Sequence, residues 1–260
     1  MELRGRTAII TGGASGMGLA VAQRLHRQGV NVAILDVNAA RGQAARDELG
    51  SDALFHAADV ANEADVQAAI SATKKRFGDI HICCNFAGIV SLMRTVGSKG
   101  AMPLENFSRV IRVNLEGTFN VVRLCAAEMA HNVVLDDDNN RGVIINVSSI
   151  AAFQGPSGTV AYTAAKAAIV GMTLPLARDL APFGIRVNTI VPGLVFTPMT
   201  LGGVDAPLAV AEERFRESLD HVLYPQRFGS VDEVAHLTQS VIENDYINAE
   251  CIRIDGGKRV

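Results

Sequence analysis

Hydrophobic positions along this chain follow two rhythms. Nearly unbroken apolar runs of strand length recur at residues 7–11, 31–35, 53–58, 80–84, 143–147, 185–191 and 250–254, and helix-length segments separate them. Hydrophobicity that is continuous rather than alternating belongs to strands buried on both faces, as in a parallel sheet covered by helices. The pattern predicts an α/β fold, a doubly wound parallel sheet of about seven strands with helices on both faces. Residues 1–260 are expected to form it as a single domain, since no internal repeat and no linker rich in Pro, Gly or Ser interrupts them. Helical spacing is clear over 161–180, where Pro175 is expected to kink the helix or open a hydrogen bond, because its ring lacks an N–H. Two stretches, 90–103 and 131–141, are irregular, and Asp136-Asp137-Asp138 in the second reads as a solvated loop.

Composition narrows the classes of function. Lys and Arg number 24 against 27 Asp and Glu, a net charge of −3, so there is no surplus of positive charge to hold a polyanion. Nucleic acid and anionic membrane are therefore not expected partners. The longest uncharged stretch, 142–165, is broken by Asn146, Ser148, Ser149, Gln154 and Pro156, which predicts a buried strand followed by a loop and no membrane helix. Glu2, Arg4 and Arg6 precede an apolar run too short for a signal h-region, so a cytoplasmic location is expected. Cys83, Cys84, Cys125 and Cys251 show no C-x-x-C spacing and read as reduced structural thiols. The six histidines are scattered without ligand spacing, and no metal is expected.

Candidate chemistry begins where the first strand runs into Thr11-Gly12-Gly13-Ala14-Ser15-Gly16-Met17-Gly18 and then into helical spacing. A strand, a glycine-rich turn and a helix start form a pyrophosphate site, because small residues let backbone N–H groups approach the phosphates. Gly12, Ser15, Gly16, Met17 and Gly18 are the candidate contacts, and the fold expected is of the Rossmann type. The second strand ends at Asp36, whose carboxylate suits the adenosine ribose hydroxyls; capping the next helix is its alternative use. Asp36 would oppose a 2′-phosphate, since like charges about 4 Å apart cost about 4 kcal/mol at an effective dielectric near 20. No Lys or Arg occupies position 15 or 37 to offset this, so NAD(H) is expected over NADP(H); Arg41, one helical turn on, is the residue able to reverse that preference.

Tyr162 and Lys166 stand four apart in the helical segment and so share one face. A phenol is a poor base at neutral pH, and a neighbouring ammonium favours its phenolate, which makes proton exchange with a hydroxyl or carbonyl oxygen feasible. Ser149, at the exit of the 143–147 strand, can hydrogen-bond the same oxygen; turn or cap chemistry is the alternative for the Ser148-Ser149 pair.

Thr11–Gly18, Asp36, Asp59-Val60, Asn85-Phe86-Ala87-Gly88, Asn114, Ser149, Tyr162 to Lys166, and Pro192-Gly193 followed by Thr197 together resemble the short-chain dehydrogenase/reductase family. The resemblance spans essentially the whole chain. It implies a catalytic tetrad of Asn114, Ser149, Tyr162 and Lys166. In that scheme Tyr162 exchanges the proton, Ser149 polarises the substrate oxygen, Lys166 binds the nicotinamide ribose and lowers the tyrosine pKa, and Asn114 holds a water. It implies further that Asp59 and Val60 meet adenine, that the backbone of Asn85, Phe86, Ala87 and Gly88 lines the cofactor cleft, and that Pro192, Gly193, Val195 and Thr197 meet the nicotinamide end. Likeness at 113–120, 141–146, 151–153, 171–175, 177–182 and 242–244 is to the branch of the family that acts on 3-hydroxyacyl-CoA thioesters. Phe86 departs from the Asn or Cys of that motif, and 192–229, the expected substrate lid, is long. Arg94 and Lys99 in 90–103 offer positive charge to a CoA phosphate, or stand as ordinary solvated bases.

The expected activity is NAD-dependent interconversion of a secondary alcohol and a ketone by hydride transfer, with a 3-hydroxyacyl-CoA as the leading substrate. A hydroxysteroid or other hydrophobic secondary alcohol is the alternative substrate. The rival from another class is an NAD-binding interaction protein with vestigial catalysis. The resemblance also implies a homotetramer or homodimer.

Overall fold

The computed structural model describes residues 1–200 and 207–259. In chain order the elements are β1 (Thr7–Thr11), α1 (Gly16–Arg27), β2 (Asn31–Asp36), α2 (Ala39–Leu49), β3 (Ala53–Ala57), α3 (Glu63–Phe77) and β4 (Ile82–Asn85). A short hairpin of β5 (Val96–Gly97) and β6 (Gly100–Ala101) precedes α4 (Leu104–Ile111), a π-helical turn (Arg112–Glu116) and α5 (Gly117–Met129). Then come β7 (Gly142–Val147), α6 (Ala151–Gln154), α7 (Val160–Leu180), a 3₁₀ turn (Ala181–Phe183) and β8 (Ile185–Pro192). The chain continues through α8 (Leu208–Arg214), α9 (Arg216–Asp220), α10 (Val231–Glu243) and β9 (Cys251–Ile254).

Seven strands form one sheet in the order β3-β2-β1-β4-β7-β8-β9, every pair parallel, as the unbroken apolar runs predict. The strands alternate between two cores. Ala8 and Ile10 of β1, with Val32 and Ile34 of β2, pack with Val21 and Leu25 of α1 and Val234 and Ile242 of α10. Ile9 and Leu35 point the other way, into a core with Val66 and Ile70 of α3 and Val121 and Val122 of α5. Each fully buried aliphatic side chain contributes about 1.5–3 kcal/mol, which is why both faces of these strands are apolar. This is the doubly wound, Rossmann-type arrangement, and its strand order reverses between β1 and β4, opening a crevice at their C-terminal ends.

Helix α7 lies against β8 on its buried side, formed by Ala165, Lys166, Ile169, Thr173 and Ala177. It runs unbroken through Pro175; Pro175 and Gly171 are both exposed, so the carbonyl that loses its donor faces solvent, where water replaces it. By length and hydropathy the stretch Val160–Phe183 matches a membrane span, yet here it is a sheet-packing helix. Of the two irregular stretches, 90–103 holds the β5–β6 hairpin, and in 131–141 Asp136 accepts the amides of Asp138 and Asn140 to close an Asx turn.

Candidate active site

The loop between β1 and α1 crosses the C-terminal edge of the sheet at the point of reversal. Gly12 has φ +64°, and a Cβ there would lie 2.8 Å from the Ala87 nitrogen; at Gly18 it would lie 2.3 Å from the Gly12 oxygen. Glycine is thus what lets α1 start this close to the ends of β1 and β4. Ser15, the N-cap of α1, makes no side-chain cap bond, so the first-turn N–H groups and the positive end of the helix dipole are left for an anion.

A cavity of about 310 Å³ opens at this turn, with Gly12, Ser15, Gly16, Met17 and Gly18 in its wall. Asp36 at the end of β2 and Asp59 and Val60 beyond β3 continue the lining, as do Phe86, Ala87 and Gly88 after β4. The Asp36 carboxylate accepts from Ala14 N at 3.2 Å and from Asn38 N at 2.9 Å, leaving further lone pairs toward the cavity. Asn38, not Asp36, caps α2, which disposes of the alternative use of Asp36. Arg41 is exposed and does not line the cavity. A cradle of small residues with backbone donors at one part of its wall and carboxylates at another fits a dinucleotide.

A second cavity of about 110 Å³ shares Met17, Phe86, Gly88, Thr197 and Met199 with the first. Asn114, Ser149, Tyr162 and Lys166 meet there, together with Pro192, Gly193 and Val195. Tyr162 and Lys166 come from successive turns of α7, and Lys166 Nζ lies 5.6 Å from the phenol ring centroid. Ser149 follows β7; its Oγ accepts from Ala151 N at 3.1 Å, and its side chain lines the same cavity as Tyr162. Burial pushes the Tyr162 phenol above its ordinary pKa, and the polar Ser149 side chain offsets part of that rise. Burial also brings the Lys166 ammonium down to about 8. Its Nζ donates to the Val147 carbonyl at 2.8 Å.

Asn114 sits fully buried in the π-helical turn, whose wide pitch falls where α4 passes into α5. Its Oδ1 accepts from Ile89 N, and its Nδ2 donates to Ile89 O and Val110 O, at 3.1, 2.9 and 3.0 Å. Both amide hydrogens are engaged, so the side chain secures the loop after β4. Gly88 permits this, since a Cβ there would lie 2.5 Å from Asn114 Oδ1 and 3.7 Å from Lys166 Nζ.

Asn85 stands apart from the cleft to which the resemblance assigns it. Its side chain is buried in the sheet and donates to Asn146 Oδ1 at 2.9 Å, joining β4 to β7, and it lines neither cavity. Three residues escaped the sequence reading. Met199 walls both cavities; Thr200 accepts no cofactor assignment from any motif, yet its hydroxyl donates to Val195 O at 2.6 Å and its amide to Thr197 Oγ1 at 3.2 Å. Ser148, read only as part of a serine pair, turns its hydroxyl away from the turn and donates 2.7 Å to the Lys166 carbonyl. The signal at Thr200 was its spacing of three from Thr197.

Within the expected lid, residues 201–206 lie outside the described residues. The remainder carries α8 and α9 on a small core of Ala211, Leu219, Val222 and Phe228, and Phe228 meets the rings of Phe196 and Phe215 edge-on at 6.0 and 5.8 Å. Arg94 and Lys99 are exposed and line neither cavity.

Residues 6–204 match the short chain dehydrogenase family. The chain is 48% identical over 262 residues to 3-hydroxyacyl-CoA dehydrogenase type-2 of Bos taurus, covering 100% of this chain and 97% of that protein. It is 36% identical to 2-(R)-hydroxypropyl-CoM dehydrogenase of Xanthobacter autotrophicus, over 96% and 97% of the two chains. The crystal structure of 3-hydroxyacyl-CoA dehydrogenase type-2 from Mycobacterium avium superposes with a TM-score of 0.90 at 36% identity, covering 100% of this chain and 98% of that one. Full-length likeness of this kind, on a sheet and a pair of cavities already of the right form, means that the chain belongs to the short-chain dehydrogenase/reductase family and is an oxidoreductase acting on CH–OH groups.

Proposed function

We propose that this protein interconverts a secondary alcohol and a ketone with NAD(H), and that its substrate is a 3-hydroxyacyl-CoA. The observation that carries the reading is the convergence of Ser149, Tyr162 and Lys166 in a cavity that shares a wall with the glycine-lined one. Asp36 supports NAD over NADP, because its carboxylate, tied to the glycine loop through Ala14 N, repels a 2′-phosphate. The names of the full-length relatives support the thioester.

NAD(H) held by these residues would supply or accept the hydride exchanged at the carbinol carbon. Tyr162 gives its phenolic proton to the carbonyl oxygen in reduction and recovers it in oxidation. Ser149 donates a hydrogen bond to the same oxygen and stabilises the negative charge that grows there. The Lys166 ammonium supplies positive charge beside the phenol and suits the ribose hydroxyls. Gly12, Gly16 and the N-terminus of α1 hold the pyrophosphate, Asp36 the adenosine ribose, Asp59 and Val60 the adenine, and Val195 and Thr197 the carboxamide. Residues 192–229 act as the substrate lid.

NADH oxidation followed at 340 nm with acetoacetyl-CoA, beside NADPH and a panel of free ketones that includes a steroid, tests this reading. Turnover of the thioester with NADH and not NADPH is the expected result. Turnover of free ketones alone would retain the mechanism and discard the thioester; NADH binding without any turnover would favour the interaction protein.

A further inference from the structure

We infer that Ser148 is a positioning residue for this reaction, its hydroxyl fixing the turn of α7 that carries Lys166 against the end of β7. The inference rests on the function proposed above. Val147 and Ser148 hold Lys166 at both of its ends: the Val147 carbonyl accepts from Nζ at 2.8 Å, and Ser148 Oγ donates to the Lys166 main-chain carbonyl at 2.7 Å. The next residue, Ser149, lines the same cavity as Tyr162. Two consecutive residues at one strand end therefore grip Lys166, and Ser148, which also lines the second cavity, does so with its hydroxyl turned to the backbone of α7.

Ser148 is well placed for this. Its own amide donates to Ile190 O at 2.9 Å, which ties it to β8, and the residue is only 2% exposed. A hydroxyl buried to that degree costs stability unless it is bonded, and alanine would fill the same space without that cost. The Lys166 carbonyl also belongs to an ordinary helical turn, and a carbonyl oxygen has a second lone pair for the serine. What the serine adds is a cross-link between strand and helix, 18 residues apart in sequence. Lys166 has no carboxylate partner among the described residues, and the Val147 carbonyl is its ammonium's acceptor. A small rotation or shift of α7 would move the ammonium off that acceptor and change its distance from Tyr162.

The test compares wild type with Ser148→Ala and Ser148→Thr in the full chain. It reads kcat and KM for NADH-dependent ketone reduction, the thermal midpoint, and the titration of Lys166 by NMR in protein carrying ¹³C at lysine Cε, with the signal assigned by its loss in Lys166→Arg. Ser148→Ala is expected to lower kcat roughly 10- to 100-fold with ketone KM changed less than about threefold, as removal of a group acting on the transition state does. Its Lys166 titration is expected to move up from about 8 as the ammonium gains water. Ser148→Thr, which keeps the hydroxyl, is expected to return both values toward wild type. A Ser148→Ala enzyme with kcat within twofold of wild type, or a slowed one whose Lys166 titrates as in wild type, overturns the inference. If wild type reduces no ketone, the proposed function fails, and the Lys166 titration in the two variants still decides whether Ser148 positions that side chain.

Discussion

At Tyr162 two neighbours act in opposite directions on one proton: burial holds it on the phenol, and the Ser149 hydroxyl loosens it. Replacing Tyr162 with Phe is expected to reduce turnover roughly 100- to 10,000-fold, the contribution of a positioned general acid, while NADH affinity measured by fluorescence titration stays near wild type. The companion measurement is the pH profile of kcat/KM for reduction. It should be level through neutrality and fall above about pH 8, where the buried Lys166 loses its proton. A profile unchanged to pH 10 would remove the charge on Lys166 from the mechanism. At this scale the sequence told much: Tyr162 and Lys166 are four apart in one helix, so their proximity is local. Ser148 was not legible, because its hydroxyl's partner lies 18 residues away, where packing brings an acceptor, and neither residue type nor spacing encodes that.

Among the elements, the β1–α1 turn is the most constrained. Thr11 bonds the loop after β4 through its hydroxyl, at 3.2 Å from Ala87 N, and Gly12 and Gly18 permit the approach. Gly18→Ala places a methyl 2.3 Å from a backbone oxygen, which no side-chain rotation relieves. The expected cost is about 1–3 kcal/mol of stability, the range for forced overpacking, with weakened NADH binding; urea unfolding and fluorescence titration measure the two. The element boundaries were largely legible because both faces of the central strands are buried and the runs are therefore unbroken. Two features were not. The π-helical turn that holds Asn114 has no signature in residue type, since its wide pitch depends on how α4 and α5 dock on the sheet. Pro175 breaks nothing, because its missing bond falls on the exposed side of α7.

For the molecule as a whole, His81 ties the entry of β4 to β1: its Nδ1 accepts from Thr7 N at 3.2 Å and its own amide donates to Thr7 O at 2.9 Å. Burial, and then the charge of Arg6, push its pKa below 6.5, against a smaller upward pull from Asp79. In the unfolded chain the ring takes a proton as the pH drops through about 6.5, while the folded ring resists it. The stability it contributes is therefore complete above that pH and is lost as the pH falls toward the folded value. Urea midpoints at pH 7.5 and 5.5 should differ more for wild type than for His81→Asn; equal differences would show that the ring does not couple to folding. By itself the sequence determined the parallel sheet, the glycine turn, the carboxylate at the end of β2 and the tyrosine–lysine pair, because each is written in contiguous residues through hydrophobic period or helical spacing. The tertiary structure alone decided that the Asn85 side chain joins β4 to β7, that Asn114 secures a loop, that burial raises the Tyr162 pKa, and that Ser148 reaches across to α7. Those outcomes depend on which groups lose their water and which acceptors they meet when distant segments pack, and no local pattern carries that information.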